Sequence, residues 1–406
     1  MSAPLRRTRG DLIATGAITA VCLMAVGGVW ATAPIRSSHL TPAATEYVNP
    51  GPRTSVPDQL SPAWSRPDVP LPGSRQPLVV DGLVISVEDR SLVAVDPSGS
   101  EVWRYDRDLD VCAVAAAWGE VVATYRSNAG CGDVVSIKAS TGQYDDTRSS
   151  LAPDEVVGIS SNDRVGTVAP ERLELWRSDL VRTVEYGEVE GIQEPNLQPN
   201  PGCQITSALT RTELLAITDF CDGSTWLRLL DATPEESRKP EVLHETLLSS
   251  PGARVIAVAQ EAAAVYVPGD TPRLIGVDKE GTKLWDRDVP SSPLIDAAAD
   301  STAAIAPVVA DLPHHMTWFD GERLYLLQPS TLEVAFIIEE AIGPGVAVGD
   351  RLLVPVDDGI AVYDWEAGAM EKTIPVDRGT VDGMVSLNVA GDAVVEKRGD
   401  SLVGLN

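Results

Sequence analysis

Three observations in this 406-residue chain predict an all-β fold, a β-propeller of eight four-stranded blades. The first is a hairpin phrase. Leu92 to Val95 form an apolar strand, Asp96 to Gly99 read Asp-Pro-Ser-Gly, and Trp103 stands in the strand that follows. The phrase returns with Leu274 to Val277, Asp278 to Gly281 and Trp285. Apolar runs punctuated by such turn residues spell hairpins. The second is period. Aligning the apolar residue before each turn gives eight anchors, Val95, Ile137, Trp176, Leu230, Val277, Leu327, Tyr363 and Leu405, spaced 36 to 54 residues apart. Repeats of about 40–50 residues made of short strands indicate propeller blades. The third is closure. The last repeat ends one outer strand short, while a surplus strand around Trp64 precedes the first repeat. Sharing one blade between both ends removes an exposed sheet edge. Seven blades is the alternative, if blade 3 or blade 6 is degenerate.

Taken in order, residues 1–10 hold Arg6, Arg7 and Arg9 and read as a cytoplasmic tail. Residues 11–33 are apolar apart from Asp11 and three threonines, long enough to cross a bilayer core of about 30 Å. With the arginines in front, the positive-inside rule places the rest of the chain outside. A cleaved signal peptide is the competing reading, because Ala31, Thr32 and Ala33 resemble a cleavage site. Cys22 lies mid-span as a small apolar residue. Residues 34–58, rich in Pro, Ser and Thr, read as an extended tether. Residues 59–406 form the propeller domain.

Blades 1 and 5 show all four strands in the pattern. Blade 2 runs from Cys112 towards Tyr144, and the other blades show two or three strands each. A proline-rich insertion of Glu194, Pro195, Asn196, Leu197, Gln198, Pro199, Asn200, Pro201 and Gly202 precedes blade 4. It lies in the longest interval between anchors. Propellers bind through loops set on a rigid ring, so this insertion is the candidate docking loop.

The formal charge of −27 comes from 59 acidic against 32 basic residues. Such a surface repels phosphate backbones, which argues against nucleic-acid binding. Beyond Cys22, the cysteines form two sequence pairs, Cys112 with Cys131 and Cys203 with Cys221, each expected to span the first two strands of a blade. Outside the cell membrane such pairs read as disulfides. Zinc is the rival, but no CxxC occurs and no histidine stands at ligand spacing. His314 and His315 would face opposite sides of a strand and are expected to be solvated. Asp106, Asp108 and Asp110 lack the Gly and Glu of a calcium loop. Neither a G-x-S-x-G nor a second His after His244 is present. No catalytic, metal or cofactor residue is assigned. Trp64, Trp103 and Trp285 are expected to pack between blades.

The strand–Asp–turn–Gly–strand–Trp repeat resembles the propellers named for pyrroloquinoline quinone. Some of those are quinoprotein dehydrogenases and some are non-enzymatic scaffolds. The vicinal cysteines and metal ligands expected of the enzymes do not appear in this sequence. Arg7 to Ile13, both cysteine pairs, Arg172 to Asp179, Tyr186 to Glu188, Leu352 to Val356, Gly359 to Asp364 and Arg398 to Val403 together resemble a narrower family. It is the single-pass propeller family of mycolic-acid-bearing actinobacteria that includes polar growth factor A. The resemblance implies a non-enzymatic accessory role in trehalose monomycolate transport and polar envelope growth. Its implied partners are the resistance–nodulation–division mycolate exporter, the exporter's accessory proteins and the glycolipid itself. A quinone-dependent oxidoreductase is the second hypothesis.

Overall fold

All eight anchors fall at the ends of third strands. The computed structural model describes residues 7–189, 195–248, 250–298, 303–381 and 383–406. Within them, eight antiparallel sheets follow one another, each a four-strand meander, with one extra strand on the first. The eight innermost strands are Leu78–Val80, Val111–Ala117, Val157–Ser160, Gln204–Arg211, Arg254–Val258, Val308–Asp311, Val346–Val348 and Val385–Ala390. Innermost strands of neighbouring blades touch, the first with the eighth included, and a shared apolar cluster joins blades 6 and 7, so the ring closes. In every blade the third and fourth strands slip register beside the anchor residue. A bulge there sharpens the twist that a blade requires.

The closing strand is Pro62–Pro67, paired with Ser401–Leu405 so that Trp64 stands opposite Gly404. Eight blades, not seven, is therefore the architecture. Blades 3 and 6 are complete. Their inner strands, with Val165–Val168 and Val308–Asp311, escaped the sequence reading because they are only four residues long.

Small residues and aromatics hold blade to blade. Trp103 on the fourth strand of blade 1 lies on Gly142 of blade 2, and its Nε1 donates to the Ala139 carbonyl at 2.8 Å. Trp64 repeats this on Gly99, donating to Pro97 O at 2.9 Å. Trp285 donates to Thr331 O of blade 6 at 2.7 Å. His244 lies on Gly281 and Phe336 on Gly368 in the same manner. The three tryptophans are packing residues, as expected, and His244 and Phe336 are two more that the sequence did not disclose. Gly99 and Gly142 also sit at φ of 84° and 65°, so both backbone and neighbour demand glycine.

Two expectations need correction. Residues 34–58 are not an extended tether. His39–Thr41 adds a fifth strand to blade 1, and the chain then crosses one end of the ring as a strap. Ala43 and Tyr47 donate to Thr141 O and Ser140 O of blade 2, and Arg53 donates to Gly391 O of blade 8. Asn49 packs on Gly82 of blade 1, and the Thr54 carbonyl on Gly349 of blade 7. The Pro/Ser/Thr composition that suggested freedom instead suits a chain pinned by main-chain bonds. Likewise His314 and His315 lie in a turn, not a strand. Both rings contact Trp365, with centroids 5.4 and 5.8 Å away; His314 is exposed, as expected, while His315 is half-buried.

The N-terminal helix Arg9–Thr32 is capped by Thr8, and none of its residues is buried. At about 1.5 Å per residue it spans roughly 36 Å. A helix apolar on all sides suits lipid, although a signal sequence near an N-terminus has the same features.

Candidate functional site

The ring has two faces. Strand one turns into two, and three into four, on the lower face, which the strap partly covers. Strand two turns into three, and each blade passes to the next, on the upper face. Both cysteine pairs and the insertion belong to the upper face.

Cys112 and Cys131 are disulfide-bonded with Cα atoms 6.1 Å apart, as are Cys203 and Cys221 at 4.8 Å. The expected pairing thus holds, with one correction. Cys112 lies on the first strand of blade 2 but Cys131 on the third, Gly130–Lys138. The hairpin Glu120–Ser127 to Gly130–Lys138 turns at the upper face, where Cys131 meets Cys112. Cys203 directly precedes the first strand of blade 4 and Cys221 ends the second, Leu214–Cys221.

Glu194 lies outside the described residues; 195–202 are described. Pro195, Asn196, Pro199, Pro201 and Gly202 are exposed, while Leu197, Gln198 and Asn200 are half-buried. The Gln198 amide binds main chain on both sides. Its Oε1 accepts from Gly187 N, and its Nε2 donates to Glu185 O and Arg238 O, all at 3.0 Å. Asn200 Nδ2 donates to Glu245 Oε1 at 3.2 Å and reaches the Tyr186 hydroxyl at 3.4 Å. That hydroxyl donates to the buried Asp219 carboxylate. Burial and then Asp219 push the Tyr186 phenol far above its ordinary range. Arg228 Nε donates to Asp219 Oδ2 at 2.6 Å, and its Nη2 contacts Cys221 Sγ at 3.3 Å. This network, which sequence spacing could not signal, makes the insertion a shaped surface.

Its chemistry is structural. Sγ of Cys203 and Cys221 and a carboxylate oxygen of Asp219 converge within 4.8 Å, yet both sulfurs are spent in the disulfide and Asp219 is held by Arg228 and Tyr186. Held by both of these donors, the carboxylate is no free base.

The central channel is filled from the upper face by two segments. Gly73 sits against Val157, Gly158 and Ala306. Gln76 Nε2 donates to Val309 O at 3.1 Å, and Ser386 Oγ donates to Arg75 O at 2.7 Å. Across the ring, Ile305 N donates to Thr206 O at 3.0 Å. Cavities of about 220 and 360 Å³ border this plug, at or below the low end of the roughly 300–1,000 Å³ usual for small-molecule sites. Asp106 and Asp110 are engaged by Arg104 and Arg90. Neither aspartate lines the cavities beside the plug, so these residues form no calcium site for a pyrroloquinoline quinone there.

No family model matches this chain, and no curated sequence does. Solved structures with a similar course include BamB from Moraxella catarrhalis, 14% identical over 86% of this chain and 99% of that one, TM-score 0.49. AztD from Citrobacter koseri is 11% identical over 77% and 87%, TM-score 0.48. PorZ, a surface component of the type-IX secretion system of Porphyromonas gingivalis, is 12% identical over 82% and 44%, TM-score 0.45. The eight-bladed assignment itself stands on the strand pairing: this chain is a disulfide-bearing β-propeller behind an apolar N-terminal helix.

Proposed function

We propose that the protein is a membrane-anchored, extracytoplasmic propeller that acts without catalysis, as an accessory factor in trehalose monomycolate transport and polar envelope growth. One observation carries the accessory reading. The ring offers a rigid, disulfide-stiffened loop face, while its channel, where a propeller would hold a small substrate, is filled by 71–77 and 303–307. Disulfides persist in oxidising compartments, which agrees with an apolar helix that delivers the propeller outside. The mycolate exporter, its accessory proteins and the glycolipid enter through the sequence resemblance.

The test is capture of the tagged full-length protein from membranes of a mycolate-bearing host. Co-purification of the exporter, or retention of trehalose monomycolate, supports the reading. Capture of neither, at native expression, removes it. Reconstitution with pyrroloquinoline quinone and calcium addresses the oxidoreductase: a stoichiometric, redox-active complex would overturn a non-catalytic role.

A further inference from the structure

We propose that the upper face is held against the bilayer and docks a Lys/Arg-bearing extracytoplasmic segment of an integral membrane protein. The inference rests on the anchored-accessory reading and adds an orientation and a partner chemistry.

Chain length carries the orientation. The helix ends at Thr32 and the fifth strand of blade 1 begins at His39. Six residues lie between, a reach of roughly 20 Å at full extension, and Pro34–Ser37 is wound into a 3-10 turn that shortens it. His39 is fixed on the blade. It pairs with Asp106, Leu40 with Tyr105 and Thr41 with Arg104, and Leu40 packs on the core of blades 1 and 2. The partner strand Glu101–Asp106 starts at the lower face and ends at the upper, so the tether attaches at the upper rim. The lower turns stand about 20 Å further away, six residues at about 3.4 Å each.

The lower face is less available. The strap runs beneath blades 2, 1, 8 and 7, and Lys372 of blade 7 holds Asp58 at 3.3 Å. Among the described residues no strap crosses the upper face outside the channel plug, and two disulfides and the Gln198 and Asn200 contacts stiffen it, so docking orders little that was free.

Charge selects the occupant. Asp108, Glu155, Glu188, Asp270, Glu340 and Asp358 are exposed around the upper face, on six different blades or their connections. Anionic headgroups are repelled by such a ring within a Debye length. A cationic protein segment is attracted and steered by it.

The test uses the full chain in nanodiscs, with Cys22→Ser as background. A donor dye is placed at Asp270→Cys on the upper face or Glu280→Cys on the lower face of blade 5, with acceptor dye in the lipid. Blade 5 lies across the ring from the tether, so the pair reads the whole face, beyond the rim. Stronger energy transfer from position 270 is expected; equal or reversed transfer overturns the orientation. A polyethylene glycol chain at the same two positions then tests docking. At 270 it should cut exporter capture several-fold, and at 280 leave it unchanged. Equal loss, or loss at 280 alone, overturns the docking face. Failure of unmodified protein to capture the exporter sinks the accessory reading instead, while the energy-transfer order stands on its own.

Discussion

Removing the Trp103 indole should show how much of the ring's stability resides in one inter-blade contact. Trp103 is 1% exposed. A buried tryptophan removes roughly 200 Å² from water, worth about 5 kcal/mol at about 25 cal/mol per Å². Measured truncations of this kind cost about 3–5 kcal/mol. Trp103→Ala also strips the Ala139 carbonyl of its 2.8 Å donor, about 1 kcal/mol more. Trp103→Phe keeps most of the area and loses the hydrogen bond, for about 1–2 kcal/mol. The assay is guanidinium unfolding of residues 39–406 followed by far-UV circular dichroism. The helix can be left off because it buries nothing. If the alanine variant costs less than about 1 kcal/mol, the indole is not a structural clamp. If phenylalanine costs as much as alanine, the hydrogen bond and not packing is the clamp.

Four further outcomes are expected. Deleting residues 1–70 removes both strap and closing strand, exposes the edge of Ser401–Leu405, and should cause aggregation; deleting 1–38 should not, and equal solubility would refute the closure. Non-reducing peptide mapping should recover Cys112–Cys131 and Cys203–Cys221, and loss of either loop closure should cost up to about 3 kcal/mol by chain entropy; free thiols in exported material would count against both the bonds and the outside location. Burial, opposed by the Ser136 hydroxyl and reinforced by Asp145, raises Glu120 to about 6 from a usual 4.5. A raised folded value means stability is fully present below 4.5 and falls as pH climbs through 6, so Glu120→Gln should raise the melting temperature at pH 7.5 and leave it unchanged at pH 4; no gain at pH 7.5 refutes the assignment. Replacing Pro195, Asn196, Pro199 and Pro201 by Gly and Ser, with Gln198 and Asn200 kept, should preserve the fold and weaken exporter capture; full capture at normal protein level rules the insertion out as a contact.

The repeat was legible in the sequence because a propeller writes its turns in residues that cannot be exchanged. Gly99, Gly142 and Gly281 must admit both a positive φ and a neighbouring ring, so the turn phrase survives where strands drift. The cysteine pairs were legible for a similar reason, since 18 and 19 residues are about one hairpin. Short inner strands such as Val157–Ser160 and Val346–Val348 left no periodic mark, because three or four residues cannot display alternation. The strap misled because its bonds are main-chain bonds, which composition does not record. The Tyr186–Asp219–Arg228 network was invisible, since its members lie on three strands of two blades and meet only after the ring forms.

The strap also changes how the anchor and the ring depend on each other. A free linker would let the membrane helix move without consequence for the propeller. Here the chain leaving the helix becomes the fifth strand of blade 1, then the strap, then the strand that closes blade 8. A pull from the membrane runs along His39–Thr41 and loads its pairing with Glu101–Asp106 in parallel, where peeling would take the bonds one at a time. Behind that strand, Arg53 is bonded to Gly391 O and Asp392 O, so the load reaches the blade 8 hairpin before it reaches the closing strand. Orientation at the membrane and closure of the ring are thus separated by two sets of contacts. Each can be cut alone: Leu40→Asp should free the propeller's orientation and lower its melting temperature only modestly, since Leu40 packs at the edge of the blade 1 core, whereas Trp64→Ala should lower the melting temperature further and leave the orientation intact. If Leu40→Asp instead lowers the melting temperature as far as Trp64→Ala does, the fifth strand belongs to the core of the ring and the separation does not exist.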